Sequence, residues 1–409
     1  MLATAGRSRV FAISIKDRGA IIPGGHLGKA FWYSKDTGQF VSSTYYYDDY
    51  PVWVKAWNER KLADRYKDKS WELLRDRSTY VYGHMDDRPS EKSYQKLGRT
   101  FPHPLGNQNP KDYYSSLPFT PMGDQLTLDF VRELMRQERI GQQDSLDYVS
   151  ISLSATDYVG HAFGPNSLEA EDNLLRLDQA LADLFAFVNR TVGLDRTLIV
   201  LSSDHGVDES PEYKQALGFD AGRHYPEKFI EQTNAALQRR YDSEANFVIA
   251  FWNPSLYLSL RTVEGLGLDL AEVEQALAEE IFKLPGIALA ITRSNLLTGN
   301  VGDTPIIRKV EQAFHPTRSG NVLIVQNQFW YLHPKADVYS AMHGSPYAYD
   351  TYVPVMFAGF NISPSVVPRE IGPEDIAPTI AAYLGIKPPS GSVGQVLQEV
   401  VKEHRGSAE

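Results

Sequence analysis

The chain has 409 residues, 41 basic against 51 acidic side chains for a net charge of −10, and 42% hydrophobic residues with 24 prolines and 30 glycines. That composition suits a folded protein with a sizeable core, of two or three domains or one large α/β body with an insertion. An acidic chain without a Lys/Arg-rich run excludes non-specific binding to nucleic acid or to an anionic membrane, so any anionic ligand must be met by locally placed cations or metals.

No apolar stretch reaches the ~18 residues of a spanning helix, and Met1–Arg9 lacks the basic-then-apolar layout of an export signal. The absence of cysteine removes disulfides, thiolate metal sites and Cys nucleophiles together. In chain order, Val10 to Ile15 is the first short apolar run bounded by polar residues, and Tyr148 to Ser154 is the second. Pro165, Asn166 and Ser167 then lead into Leu168 to Val188, where Leu174, Leu175, Leu177, Leu181, Leu184, Phe185 and Val188 recur at helical spacing behind Ser167 as N-cap. Thr197 to Ser203 and Val353 to Ala358 complete a set of four strands. None alternates strictly, which predicts strands covered on both faces, as in a mostly parallel central sheet flanked by helices. A last helix is expected from Pro373 to Leu384. Residues 207–342 carry helical segments near 226–240 and 269–283 and strand-like pieces near 246–260 and 321–332. The expected organisation is an α/β core of residues 1–206 and 343–409 with an inserted subdomain at 207–342.

Histidine and aspartate cluster at the ends of these strands. Asp157 and His161, one helical turn apart, follow the second strand, and Asp204 and His205 follow the third. In a parallel sheet both pairs sit at carboxyl ends of strands joined by one crossover, where open α/β sheets collect ligands, and they should face each other. His343 lies in a Gly/Ser/Pro-rich loop before the Val353 strand. Neutral imidazoles with carboxylates are a donor set that suits zinc. The remaining seven histidines, among them His224, His333 and His404, lack such a context and are read as surface or core residues.

These motifs resemble the alkaline phosphatase superfamily: Ser152 through Asp157 and His161 to Asn166, then Ser202 to Gly206, then His343 to Tyr347. Ser14 to His26 with Lys16 and Arg18, and Phe40 to Tyr46 with Pro51 to Lys55, are similar to its phosphate-irrepressible alkaline phosphatase branch, close to the nucleotide pyrophosphatase/phosphodiesterase enzymes. The resemblance covers nearly the whole chain. It implies an enzyme that hydrolyses phosphate monoesters with two zinc ions, one held by Asp157, His161 and His343, the other partly by Asp204 and His205, while Lys16 and Arg18 bind the non-bridging phosphoryl oxygens. It further implies in-line displacement through a phosphoenzyme, a small phosphate-ester substrate, and export to the periplasm or beyond for the full-length parent, although this sequence carries no export signal.

The family also uses a first strand ending in an aspartate that completes the second zinc site, a Thr or Ser nucleophile and a phosphate-binding asparagine. No part of the sequence matches these, and Met1–Arg9 resembles an interior stretch of the family. The expectation is therefore a chain that begins about one βαβ portion into the fold, with its nucleophile upstream of Met1, one complete zinc site and one with two ligands. Asp208, Glu209, Thr44 and Ser14 are not expected to stand in. Phosphodiester or nucleotide pyrophosphate hydrolysis is the enzymatic alternative, and a truncated, non-catalytic zinc-binding remnant is the alternative of another class.

Overall fold

A computed structural model describes residues 6–106, 109–332 and 338–401. His333 and His404 lie outside the described residues. The first apolar run forms the strand Arg9–Ser14, buried from Phe11 onward. It is one of the two inner strands of a four-stranded sheet, parallel to Lys29–Tyr33 on one side and to Asp147–Ser152 on the other, with Ile13 opposite both Phe31 and Ile151. The short strand Phe40–Val41 closes the far edge antiparallel. The helix Pro121–Gln137 covers one face, burying Leu126, Phe130, Val131 and Leu134 at helical spacing, and Phe130 stacks on Phe40 at 4.2 Å.

The fold is α/β with a mixed sheet, and one expected neighbour is elsewhere. Ile199–Ser202 does not extend the parallel ladder; it pairs antiparallel with Val355–Ala358 as a separate two-stranded sheet. Met356 on that sheet is exposed and Val355 half-buried, the one-sided burial that antiparallel ribbons tolerate and buried parallel strands do not. The helix between the two sheets runs Leu168–Thr191, with Ser167 Oγ accepting from Ala170 N as the N-cap.

Residues between 226 and 332 include a second four-stranded sheet, all antiparallel, in the order Ile287–Thr292, Val322–Gln326, Ser255–Leu258, Val248–Trp252. The helices Pro226–Arg240 and Leu270–Phe282 lie against it and share a core of Phe229, Leu237, Val273, Leu277, Ile281 and Ile324. No described helix is long and apolar enough to cross a membrane. The C-terminal segment turns at Pro373–Asp375 and continues as the helix Ile376–Tyr383.

Candidate metal centre and its cationic rim

Asp157 and His161 occupy successive turns of the helix Ala155–Phe163, which starts just past the Asp147–Ser152 strand. His161 Nε2 lies 3.3 Å from Asp157 Oδ1. Two further imidazoles point at the same oxygen: His343 Nε2 at 3.5 Å and His205 Nε2 at 3.7 Å. The His205 and His343 rings stack with centres 3.4 Å apart. Asp157, His161 and His343 offer ligand atoms that all lie within 4.8 Å of one another.

The far nitrogens fix how these rings face. His161 Nδ1 is 2.8 Å from the Ala341 carbonyl and His205 Nδ1 is 2.9 Å from the Gly206 carbonyl. A carbonyl only accepts, so each Nδ1 carries a proton and each Nε2 is turned to Asp157, where it donates to the carboxylate when protonated and can bind a metal when deprotonated, the orientation found behind metal-bound histidines. Burial alone would raise the Asp157 pKa, but hydrogen bonds from His161 and His343 and the charge of Lys16 outweigh it and hold the carboxyl well below the usual range.

Asp204 is placed differently. Its side chain is 83% exposed and meets the cluster only through Oδ2, 3.5 Å from His205 Nε2. The two pairs therefore come together through His205, with the Asp204 carboxylate at the solvent edge.

Lys16 and Arg18 follow the C-terminal end of the Arg9–Ser14 strand. Lys16 Nζ hydrogen-bonds Asp157 Oδ2, the oxygen not facing the imidazoles, and stands 4.8 Å from the centre of the Tyr158 ring. Arg18, in the first turn of the helix Asp17–Gly24, is exposed beside it. The four residues set aside in the sequence have other employment or place. Ser14 is buried, its Oγ accepting from Lys16 N at 3.0 Å and lying 3.2 Å from Ser154 Oγ. Glu209 accepts from Arg88 Nη1 and Ser210 N, Asp208 Oδ1 accepts from Glu209 N, and Thr44 is exposed.

Three supports of the site were not read from the sequence. Asp124, in the helix Pro121–Gln137, accepts the Ala155 N–H at 3.0 Å and so caps the ligand-bearing helix from a distance of 31 residues in sequence. Its carboxyl is pushed up to about 7 by burial. Asp350 Oδ2 accepts from Gly344 N, Ser345 N and Ser345 Oγ, pinning the loop that carries His343. Gly206 N in turn donates to Asp350 O at 2.7 Å, and a Cβ at Gly206 would lie 2.1 Å from Tyr349 O, so the His205 and His343 loops meet only because this residue is glycine. The third support, Lys35, donates to Tyr158 Oη at 2.7 Å. An aspartate soon after a Gly-Ser turn was a legible local signal for Asp350; Asp124 and Lys35 act across the sheet and leave none.

Known proteins are similar to this chain along nearly its whole length. The alkaline phosphatase PhoV of Synechococcus elongatus is 33% identical over 405 residues, 98% of this chain and 72% of that protein. A Myroides odoratus protein named calcium-transporting ATPase is 32% identical over 407 residues, covering 98% and 74%. The crystal structure of wild-type alkaline phosphatase PafA superposes with a TM-score of 0.89 at 31% identity, over 98% of this chain and 76% of that one. The family model for type I phosphodiesterase / nucleotide pyrophosphatase matches residues 25–346, a span that includes the Ala155–Phe163 helix, His205 and His343. With that match and a third of its residues shared with relatives along nearly its whole length, the chain belongs to the type I phosphodiesterase / nucleotide pyrophosphatase family.

Proposed function

We propose that this chain hydrolyses phosphate monoesters with the help of zinc. One observation carries the reading: a carboxylate whose Oδ1 faces three inward-turned imidazole nitrogens and whose Oδ2 holds a lysine ammonium. A metal and a phosphoryl group can therefore meet at a single residue, Asp157.

The donor set suits zinc, since two neutral imidazoles and one carboxylate supply three ligands of the kinds it favours and leave a position open. Asp157, His161 and His343 would hold one ion, and Asp204 with His205 would contribute to a second. Zinc supplies there a Lewis acid that polarises a phosphoryl oxygen and lowers the pKa of a water. Lys16 and Arg18 neutralise the non-bridging oxygens, the forked guanidinium binding two at once. A monoester dianion gains more from both cations than a diester monoanion, which favours monoesters. Hydrolysis of diesters or nucleotide pyrophosphates is the second reading, supported by the description of the matching family. Export to the periplasm or beyond, and the division into a core of 1–206 and 343–409 with 207–342 inserted, belong to the same proposal; the separate sheet and core between 226 and 332 support the latter.

The test is turnover of an aryl phosphate monoester by the purified chain with zinc, and with a chelator added. Chelator-sensitive hydrolysis is expected in a form that includes the family's Thr or Ser nucleophile, where Lys16→Ala and Arg18→Ala should each lower monoester kcat/KM by roughly a hundredfold and diester kcat/KM by about tenfold or less. Equal losses on both substrates would favour the diesterase. A folded chain that binds zinc without turnover would favour a non-catalytic zinc-binding form.

A further inference from the structure

Lys35 follows the Lys29–Tyr33 strand as Lys16 follows Arg9–Ser14. These strands are neighbours and parallel, with Ser14 opposite Trp32, so both lysines leave the sheet at the same edge. Both reach the same ring: Lys35 Nζ is 4.3 Å and Lys16 Nζ 4.8 Å from the centre of Tyr158. The two ammonium groups are thus ~9 Å apart at most, within one Debye length of each other. Burial, then the charges of Lys16 and Arg18, lower the Lys35 pKa, with Asp17 pulling the other way. Lys16 has a carboxylate partner in Asp157; among the described residues no carboxylate forms an ion pair with Lys35, whose Nζ hydrogen-bonds Tyr158 Oη.

A half-buried ammonium facing two other cations is costly unless an anion joins it. Tyr158 adds a second donor. Its oxygen accepts from Lys35, which leaves its own O–H to donate.

We propose that Lys35 and Tyr158 form a subsite, beside the phosphoryl-binding pair Lys16 and Arg18, for a second anionic group on the alcohol portion of the substrate. The inference rests on the reading of Lys16 and Arg18 given above. It names the substrate class as phosphate monoesters whose leaving group carries a carboxylate or a further phosphate. Such an anion receives the ammonium's remaining N–H bonds and the phenol O–H while the ester phosphate occupies Lys16 and Arg18. Lys35 is then a specificity residue, remote from the reacting bond.

The experiment is titration calorimetry of the full chain in zinc-containing buffer with two non-hydrolysable probes, methylphosphonate and phosphonoacetate, which share a phosphonate and differ by a carboxylate. The wild-type chain is expected to bind phosphonoacetate about tenfold more tightly, the scale of a hydrogen bond to a charged group. Lys35→Met is expected to bring the ratio near one, Lys35→Arg to restore it, and Tyr158→Phe to lower it part-way. A ratio unchanged in Lys35→Met, or a wild-type ratio near one, overturns the subsite and leaves the phosphoryl pocket standing. Failure of wild-type protein to bind either probe overturns the phosphoryl pocket itself, and the subsite with it.

Discussion

Two histidines with similar burial have opposite tasks because of what their rings touch. His161 keeps one nitrogen on a carbonyl and turns the other to Asp157. His224 is enclosed by apolar rings, Trp330 at 4.7 Å and Phe229 at 4.7 Å, and its Nε2 is buried without a partner among the described residues. Burial pushes its pKa down from 6.5 to about 4. A depressed histidine is stabilising above its unfolded value, and that stability drains away as pH falls from 6.5 toward 4, because the unfolded chain takes up the proton first. By pH 5 the loss from this residue is on the order of 2 kcal/mol. Urea unfolding at pH 7 and pH 5 should therefore show the wild-type chain losing about that much more than His224→Phe, which retains the aromatic packing. Parallel losses in the two proteins would mean that His224 is already protonated, or solvated, in the native state.

Among the elements, the Ala155–Phe163 helix determines whether the centre forms, since Asp157 and His161 share its face. Its N-terminus is capped from another helix, by Asp124 on Ala155 N. Asp124→Ala removes the acceptor and leaves a buried N–H unpaired, costing about 2 kcal/mol, while Asp124→Asn keeps an acceptor in place. Because a support of this kind orients the ligands, zinc affinity should fall 10- to 100-fold in Asp124→Ala and far less in Asp124→Asn. Zinc affinity unchanged in the alanine variant would show that the helix start is held by its packing alone. The one-turn spacing of Asp157 and His161 was legible in the sequence because it is local, and so was the Ser167 cap of the helix Leu168–Thr191. The buried face of that second helix was legible only in its later turns, where Leu184 and Val188 are buried. Leu174 is exposed, whereas Glu169 and Asp172 are buried, because Glu169 pairs with His103 and Asp172 accepts from Trp71, Leu74 and Tyr80. Apolar periodicity does not register a helix face buried against polar partners.

At the scale of the whole molecule, the strand runs and the order of the motifs were readable, while the partners of the strands were not. Pairing of Ile199–Ser202 with Val355–Ala358 joins segments about 150 residues apart, which no local pattern encodes. The metal centre has the same non-local character. His161 meets the loop before His343 across 180 residues of chain, through Ala341 O, and His205 joins from between them. An ion at Asp157, His161 and His343 therefore cross-links segments that otherwise meet through a few hydrogen bonds, and it binds a geometry the unfolded chain lacks. Free zinc at a hundred times its dissociation constant should add about 2.7 kcal/mol, a rise in Tm of roughly 2–5 °C for a chain this long. His343→Ala removes one ligand and the tie to its loop, so the same zinc addition should leave its Tm nearly unchanged. His205→Ala, outside the three-ligand set, should retain most of the shift. Equal shifts in wild-type and His343→Ala protein would place the stabilising ion elsewhere; a shift lost in His205→Ala as fully as in His343→Ala would make the three imidazoles a single site around Asp157.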